Sequence, residues 1–239
     1  AIIPPAQRSV TGKIGIPRPR GLRGFDNPGH TYYSSRMPAY ADILVVGGGP
    51  AGIFAAVTAA HRGGKTCRVA LLEHNHALGR KLGKTGNGRC NLTNRKIRIE
   101  RYHGEDVRFL HNVLPRFTSD DLLAWVGERG VEFKEEEGGR VFPVTDQAST
   151  IADVLKEEVE RRGVVVSLGT RVEEVGRGKD GGFFVRQAGG GTSSCRRLVL
   201  AAGGAAYPQL GATGDGYAFA RAFGHTVVPP APALVAFEI

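Results

Sequence analysis

Hydrophobic positions along this chain change period repeatedly. Residues 43–46 (ILVV) are an uninterrupted apolar run, residues 50–61 carry a helical pattern, and residues 68–73 return to a short apolar run. Together they predict strand, helix and strand in one βαβ unit. After a long glycine-rich loop, helices are expected over residues 105–117 and 119–129, and short strands over 131–133 and 140–142. Ile151, Val154, Leu155 and Val159 recur at i, i+3, i+4 and i+8. That spacing predicts an amphipathic helix, with Thr145 or Asp146 as its cap and Gly163 as a left-handed stop. Further strands are expected at 164–168, 171–175, 183–187 and 197–202, then a helix running to Phe223 behind Thr213 as N-cap. The alternation predicts an α/β chain, a Rossmann-type domain with a parallel sheet plus a small antiparallel β segment.

Residues 1–36 break the pattern, with five prolines, scattered arginines and no hydrophobic period, and are expected to be a disordered basic leader. The folded domain is expected over 37–228. Of the formal net charge of +9, the leader supplies +5, through six Lys/Arg against Asp26, which leaves +4 for the rest. A mildly basic folded part gives no reason to expect nucleic acid as a partner, so a small-molecule substrate is the expectation. Cys67, Cys90 and Cys195 are odd in number and lack ligand-like spacing, which argues against a disulfide framework and against a metal site. A reducing, cytoplasmic setting fits them, with an organellar one as the alternative if the leader is a transit peptide. The apolar run at 43–60 is broken by three glycines and a proline, so no membrane span is expected.

The chemistry begins where the first strand turns into the first helix. Gly47, Gly49 and Gly52 form G-x-G-x-x-G in that context, with Pro50 at the first helical position. Gly47 permits the tight turn, Gly49 a close approach of backbone to a pyrophosphate, and Gly52 close packing of helix on strand. Glu73 follows at the end of the second strand, ~20 residues on, where a carboxylate accepts bonds from ribose hydroxyls and repels a 2′-phosphate. The stretch GRKLGKT at 79–85 imitates a P-loop but is one residue too short between its glycines. Asn91-Leu92-Thr93 matches a glycosylation acceptor with no sign of secretion behind it, and His74 and His76 are expected to be solvent-exposed.

Three longer motifs, GRKLGKTGNGRCNLTN (79–94), GGRVFPVTDQAST (138–150) and LVLAAGGAAYPQLGATGDGYAFARAFGH (198–225), resemble the YhiN/BaiN-like flavoproteins, often labelled aminoacetone-oxidase-like. The resemblance runs from about Met37 to the end. It implies FAD, a Rossmann domain interrupted by inserted domains, and an oxidoreductase. Residues 229–239 would begin the first inserted domain, the remainder of which this chain lacks, so that the chain alone is expected to be inactive.

Carried onto this sequence, the resemblance places Ala51 with the three glycines at the pyrophosphate and Arg80 with Lys81 by the phosphate or ribityl chain. Asn87, Arg89, Cys90 and Asn91 would lie beside the isoalloxazine, and Val172 would pair its backbone with adenine. Gly203 and Gly204 end a buried strand where the chain can pass close to the cofactor. Cys90 is expected to be an inert thiol, and no catalytic residue stands out. The function expected is two-electron transfer between a small molecule and FAD, with NAD(P)H as a candidate electron donor. The alternatives are an NAD-dependent dehydrogenase, an FAD-dependent RNA-modifying protein, or a non-catalytic fragment.

Overall fold

The structure, a computed structural model, describes residues 33–34, 37–104 and 106–232. In chain order its strands are β1 (Tyr33–Ser34), β2 (Tyr40–Val46), β3 (Val69–Leu72), β4 (Thr93–Asn94), β5 (Phe133–Glu136), β6 (Arg140–Pro143), β7 (Val165–Ser167), β8 (Val172–Arg177), β9 (Phe183–Gln187) and β10 (Thr192–Leu200). The helices are α1 (Pro50–Gly63), α2 (Leu110–Val113), α3 (Ser119–Gly127), α4 (Ala148–Arg161) and α5 (Asp215–Ala222), with short 3-10 turns between them. The expected domain at 37–228 divides into two compact units. The first holds the chain up to Leu78 and again from Val159, the second holds Gly79–Glu158.

The first unit is a sheet of order β1-β7-β3-β2-β10-β9-β8. The strands from β1 to β10 in that order are parallel, while β9 and β8 run antiparallel to their neighbours. The parallel strands are the near-continuous apolar runs, as strands covered on both faces require. Leu44, Val45, Ala70, Leu71 and Val166 are completely buried. Helix α1 turns Gly52, Ile53, Ala56, Val57 and Ala60 inward from the return between β2 and β3. A second group on the sheet joins Leu44, Val46, Ala70 and Leu72 to Val172, Val175, Val185 and Phe219 of α5. Burial of each such side chain contributes about 1.5–3 kcal/mol. Because β3 and β10 flank β2, the chain leaves β2 in one direction and returns on its other side, which makes the carboxyl ends of β2 and β10 the topological switch point where sheets of this kind bind ligands.

The second unit holds a small antiparallel sheet of order β4-β6-β5. Helix α3 opens on a capping box: the Asp121 N–H donates to Thr118 Oγ1 at 3.2 Å and the Thr118 N–H donates to Asp121 Oδ2 at 2.7 Å. Leu110, Leu123 and Val126 are buried within this part of the chain. Helix α4 crosses the boundary between the units and buries Ile151, Leu155 and Val159 from its apolar stripe. Gly163, at φ +64°, stops it as expected, with the Val164 N–H donating to Val159 O.

Some elements differ from expectation. The helix expected at 105–117 is the single turn α2, which gives way to a 3-10 turn at Pro115, a residue with no N–H to continue an α-helical ladder. The strand expected at 131–133 is β5, shifted forward to pair with β6. Helix α5 has Gly214 at its cap, at φ +83° and without a side-chain bond, so Thr213 does not cap it. Strand β10 begins five residues early because its amino half pairs with β9. Within the stretch expected to be a disordered leader, Tyr33 and Ser34 pair in parallel with Val166 and Ser167 of β7. The rest of residues 1–36, and residues 233–239, lie outside the described residues.

Candidate functional site

The loop after β2 is fixed from both sides before any ligand is considered. The Gly47 N–H donates to Leu72 O of β3 at 2.8 Å, and the Ala201 N–H donates to Val46 O of β2 at 2.8 Å. Gly47 adopts φ +109°, and a Cβ there would lie 2.3 Å from Ala201 O. A Cβ on Gly52 would lie 1.8 Å from Gly47 O, and one on Gly48 2.6 Å from Leu78 Cδ2. Protein atoms therefore impose these glycines.

Gly49 is different. Its φ of −77° and ψ of 176° suit any residue, and a Cβ there would meet nothing within 4 Å. The fold itself does not ask for glycine here, and the loop keeps open space over this backbone. Gly49 is also the N-cap of α1, with no side-chain cap, no acidic residue in the first turn, and Pro50 at its start. With neither a side-chain cap nor an acidic residue in that turn, its N–H groups and the positive end of the helix dipole offer the conditions in which a helix start stabilises a phosphate. Ala51 is exposed there.

Glu73 ends β3 and is buried. The Gly48 N–H donates to its Oε2 at 2.6 Å. Its Oε1 accepts the backbone N–H of Asn75 at 2.8 Å and the Asn75 side-chain Nδ2 at 2.7 Å, with His74 Nδ1 at 3.4 Å. The expectation of a carboxylate open to two hydroxyls is thereby narrowed. Oε1 is occupied, and the remaining acceptor capacity lies on Oε2. Asn75 was not legible as a site residue. Its only signal is an amide two positions after the carboxylate, the spacing of a local side-chain-to-backbone turn.

The return from β10 completes this end of the sheet. Gly203, at φ +80°, has open space where a Cβ would be, and the Gly214 N–H donates to Gly204 O at 3.2 Å, closing residues 204–214 into a loop. Tyr207 in that loop holds φ +63°, ψ +63° and is 60% exposed. A left-handed conformation at an aromatic residue stores strain of about 1–3 kcal/mol. The far side of the loop reaches the Glu73 neighbourhood, since a Cβ on Gly211 would lie 2.5 Å from His74 Nε2. Val172 begins the edge strand β8 two residues after Thr170, whose N–H donates to Glu73 O at 2.8 Å. The structure thus gathers Gly47, Gly49, Pro50, Ala51, Gly52, Glu73, Gly203 and Gly204 at the carboxyl ends of β2, β3 and β10, while Val172 starts the edge strand β8, level in register with the amino end of β10.

Arg80, Lys81, Asn87, Arg89, Cys90 and Asn91 belong to the second unit. Arg80, Lys81, Asn87 and Asn91 are exposed. Asn87 (φ +57°) and Cys90 (φ +63°) are left-handed without being glycine. Arg89 is not a bare cation: its guanidinium donates to Glu136 Oε1 at 2.8 Å and Oε2 at 3.3 Å and to Asp146 Oδ1 at 3.3 Å, and stacks 4.0 Å from the Phe142 ring centre. The bond to Arg89 holds the Glu136 carboxyl below its ordinary range, and the bond from Lys134 does the same for Asp146. Cys90 is buried, and burial pushes its thiol up against the opposing hydrogen bond with Thr85. Burial also drives Cys195 up to about 12. Neither is a thiolate at neutral pH.

A family model described as the HI0933-like protein Rossmann domain matches residues 41–237. The chain belongs to that family. Its relatives include a 3-dehydro-bile acid delta(4,6)-reductase from Clostridium scindens, 41% identical over 82% of this chain and 47% of the relative. A ribosomal RNA dihydrouridine synthase from Haemophilus influenzae is 33% identical over 84% of this chain and 50% of its own length. The chain therefore spans about half the length of the curated relatives it matches. Among solved structures, the open conformation of a flavocytochrome c3 fumarate reductase shares the fold, with a TM-score of 0.56 and 20% identity over 76% of this chain and 40% of that one. The family assignment agrees with the YhiN/BaiN-like resemblance carried by the three long motifs. The RNA-acting relative removes the ground for setting nucleic acid aside as a partner. Among the described residues no helix is long and apolar enough to cross a membrane, and no group of three or more potential ligands could hold a metal ion.

Proposed function

We propose that this chain is the nucleotide-binding part of an FAD-dependent oxidoreductase that reduces a carbon–carbon double bond conjugated to a carbonyl. The observation that carries the nucleotide half of this reading is Gly49, an unforced glycine over open space at an uncapped helix start. The N–H groups of the first turn of α1, at Ala51 and Gly52, would hold the pyrophosphate, while Gly47 and Pro50 set the turn that aims them. Glu73 would accept one ribose hydroxyl on Oε2, and its charge disfavours a 2′-phosphate at the same place. Val172 would offer backbone to the adenine, and Gly203 and Gly204 let the chain return close to the cofactor. Bound FAD would supply two-electron chemistry, with NAD(P)H as the proposed source of electrons.

Within the second unit, Arg89 and Cys90, which the resemblance sets beside the ring, have partners of their own. Arg89, expected beside the ring, would act as one member of a charge-balanced network with Glu136, Asp146 and Lys134. Cys90, buried and protonated, would supply shape and no thiol redox step.

The substrate half comes from the relatives. A delta(4,6)-reductase of a 3-dehydro-bile acid and a uridine-to-dihydrouridine synthase share one transformation: two electrons and two protons are added across a C=C bond polarised by a carbonyl. The substrate class is therefore an α,β-unsaturated carbonyl, carried either on a small molecule or on a uracil base in RNA. The test is the visible spectrum of the purified protein. A yellow protein that releases FAD on denaturation and, after anaerobic reduction with NAD(P)H, is reoxidised by an enone is expected. A colourless protein that takes up NAD but no FAD would establish the dehydrogenase alternative instead.

A further inference from the structure

We propose that residues 95–117 of the second unit form a surface that binds single-stranded RNA; the inference rests on the RNA branch of the proposed function. This segment carries six Lys/Arg against three acidic residues, so it holds +3 of the +4 that remain outside residues 1–36. It is also where apolar side chains are left in water. Of eight large hydrophobic residues exposed among the described residues, five lie here: Ile97, Tyr102, Phe109, Val113 and Phe117. Phe109 alone is 59% exposed.

The local structure explains the exposure. Leu110 is buried and anchors α2, while Phe109 and Val113, four residues apart, share a neighbouring side that is exposed. Lys96, Arg98, Arg101 and Arg116 are exposed along the same stretch. Ion pairs tie Arg108 to Asp106 at 2.6 Å and Arg95 to Asp120 and, at 3.9 Å, Glu135, so Asp106 is neutralised locally and the cations facing a partner are Lys96, Arg98, Arg101 and Arg116. Exposed rings alternating with arginines match the chemistry of an unpaired strand, whose bases stack on aromatic faces while its phosphates meet the cations. A duplex presents phosphates but not base faces. The occupant that fits both features is therefore a single-stranded region of RNA, of the sort that would bring an unpaired uracil to an enzyme acting on it.

Fluorescence anisotropy of the full chain with a labelled twelve-nucleotide single-stranded RNA, its annealed duplex and the matching DNA tests this. The single strand is expected to bind at least about tenfold tighter than the duplex. Replacing Tyr102 and Phe109 together by Ala should weaken binding about tenfold for each ring, with melting temperature and FAD content unchanged. Arg98→Glu with Arg101→Glu should weaken binding regardless of base sequence and flatten its salt dependence. Absence of binding, or equal affinity for the duplex, overturns the proposal. So does an aromatic variant that melts earlier yet keeps its RNA affinity, the behaviour of a face covered by other protein. FAD absorbance read on the same samples separates the two readings: RNA bound by a flavin-free protein sinks the flavin assignment alone.

Discussion

The glycine loop of the first unit and the loop at residues 86–91 of the second both turn the chain sharply, but with different residues. In the first, Gly47, Gly48 and Gly52 are dictated by backbone and side chains a few ångströms away. In the second, Gly86 is fixed in the same way, with Asn91 N 2.8 Å from where its Cβ would be, but Asn87 and Cys90 beside it take the left-handed conformation without being glycine. That loop is held instead by bonds at its rim: Cys90 N–H to Thr85 O, Leu92 N–H to Val141 O, and Arg89 to its two carboxylates. Steric fit does not titrate, whereas ion pairs do. The first loop is therefore held chiefly by fit, with the Glu73 carboxylate adding a bond to Gly48, and the second, with two carboxylates on Arg89, is the more sensitive to pH and to substitution of single charges.

The sharpest break in this comparison lies inside the first loop. Gly52→Val is expected to cost more than about 4 kcal/mol, because its side chain would occupy the Gly47 carbonyl, and the variant should fail to accumulate as folded protein in a melting assay. Gly49→Val should leave the melting temperature of the ligand-free protein almost unchanged. It should nevertheless weaken FAD on the order of a hundredfold, through loss of charge-assisted bonds of roughly 1.5–3 kcal/mol each. Retention of FAD at normal affinity by Gly49→Val would remove this loop from the cofactor site.

Glu73→Gln keeps the side-chain shape but removes its charge, and an expected loss of about 1.5–3 kcal/mol in FAD binding should be visible by isothermal titration. Asn75→Ala deletes the Nδ2 bond to Oε1, together with the longer 3.5 Å bond to Leu210 O. A loss near 1 kcal/mol, about fivefold in affinity, would mark Asn75 as the residue that orients Glu73.

The smallest effect belongs to the second loop. Glu136 and Asp146 are held below their ordinary values of 4.5 and 3.8 in the folded protein. Their contribution to stability is complete above those values and disappears as pH falls through the depressed folded ones. Wild type should consequently be more stable than Arg89→Gln at pH 7, and melting curves of the two should converge as acid protonates the pair. A gap that stays constant down to pH 2 would show that Arg89 acts through its stacking on Phe142 instead.

The sequence carried the first unit's frame well, since apolar runs of strand length around a glycine turn leave few alternatives. Residues 183–187 are β9 to the residue, and Gly163 stops α4 where its position requires. What was illegible depended on partners distant in sequence. Asn75 matters because it meets Glu73, β4 exists because residues 93–94 find β6, and Tyr33 with Ser34 gain a strand from β7. None of these has a periodic signature of its own. Residues 105–117 misled for the converse reason, since the hydrophobic pattern does not register Pro115, where the helical ladder gives way to a 3-10 turn.

The contact between Gly47 and Ala201 also sets a clock. The amides of Gly47 and Ala201 are donated across three adjacent strands, to Leu72 and Val46, at the very floor of the site. Their exchange with solvent deuterium requires the centre of the sheet to open, so their protection approaches that of global unfolding. The amides of residues 204–214, in a loop whose bonds are mostly local, among them Gly211 N–H to Pro208 O and Gly214 N–H to Gly204 O, exchange through smaller local fluctuations. A ligand arriving here would meet a floor whose configurational entropy was surrendered when the chain folded, and a rim that still has its own to lose.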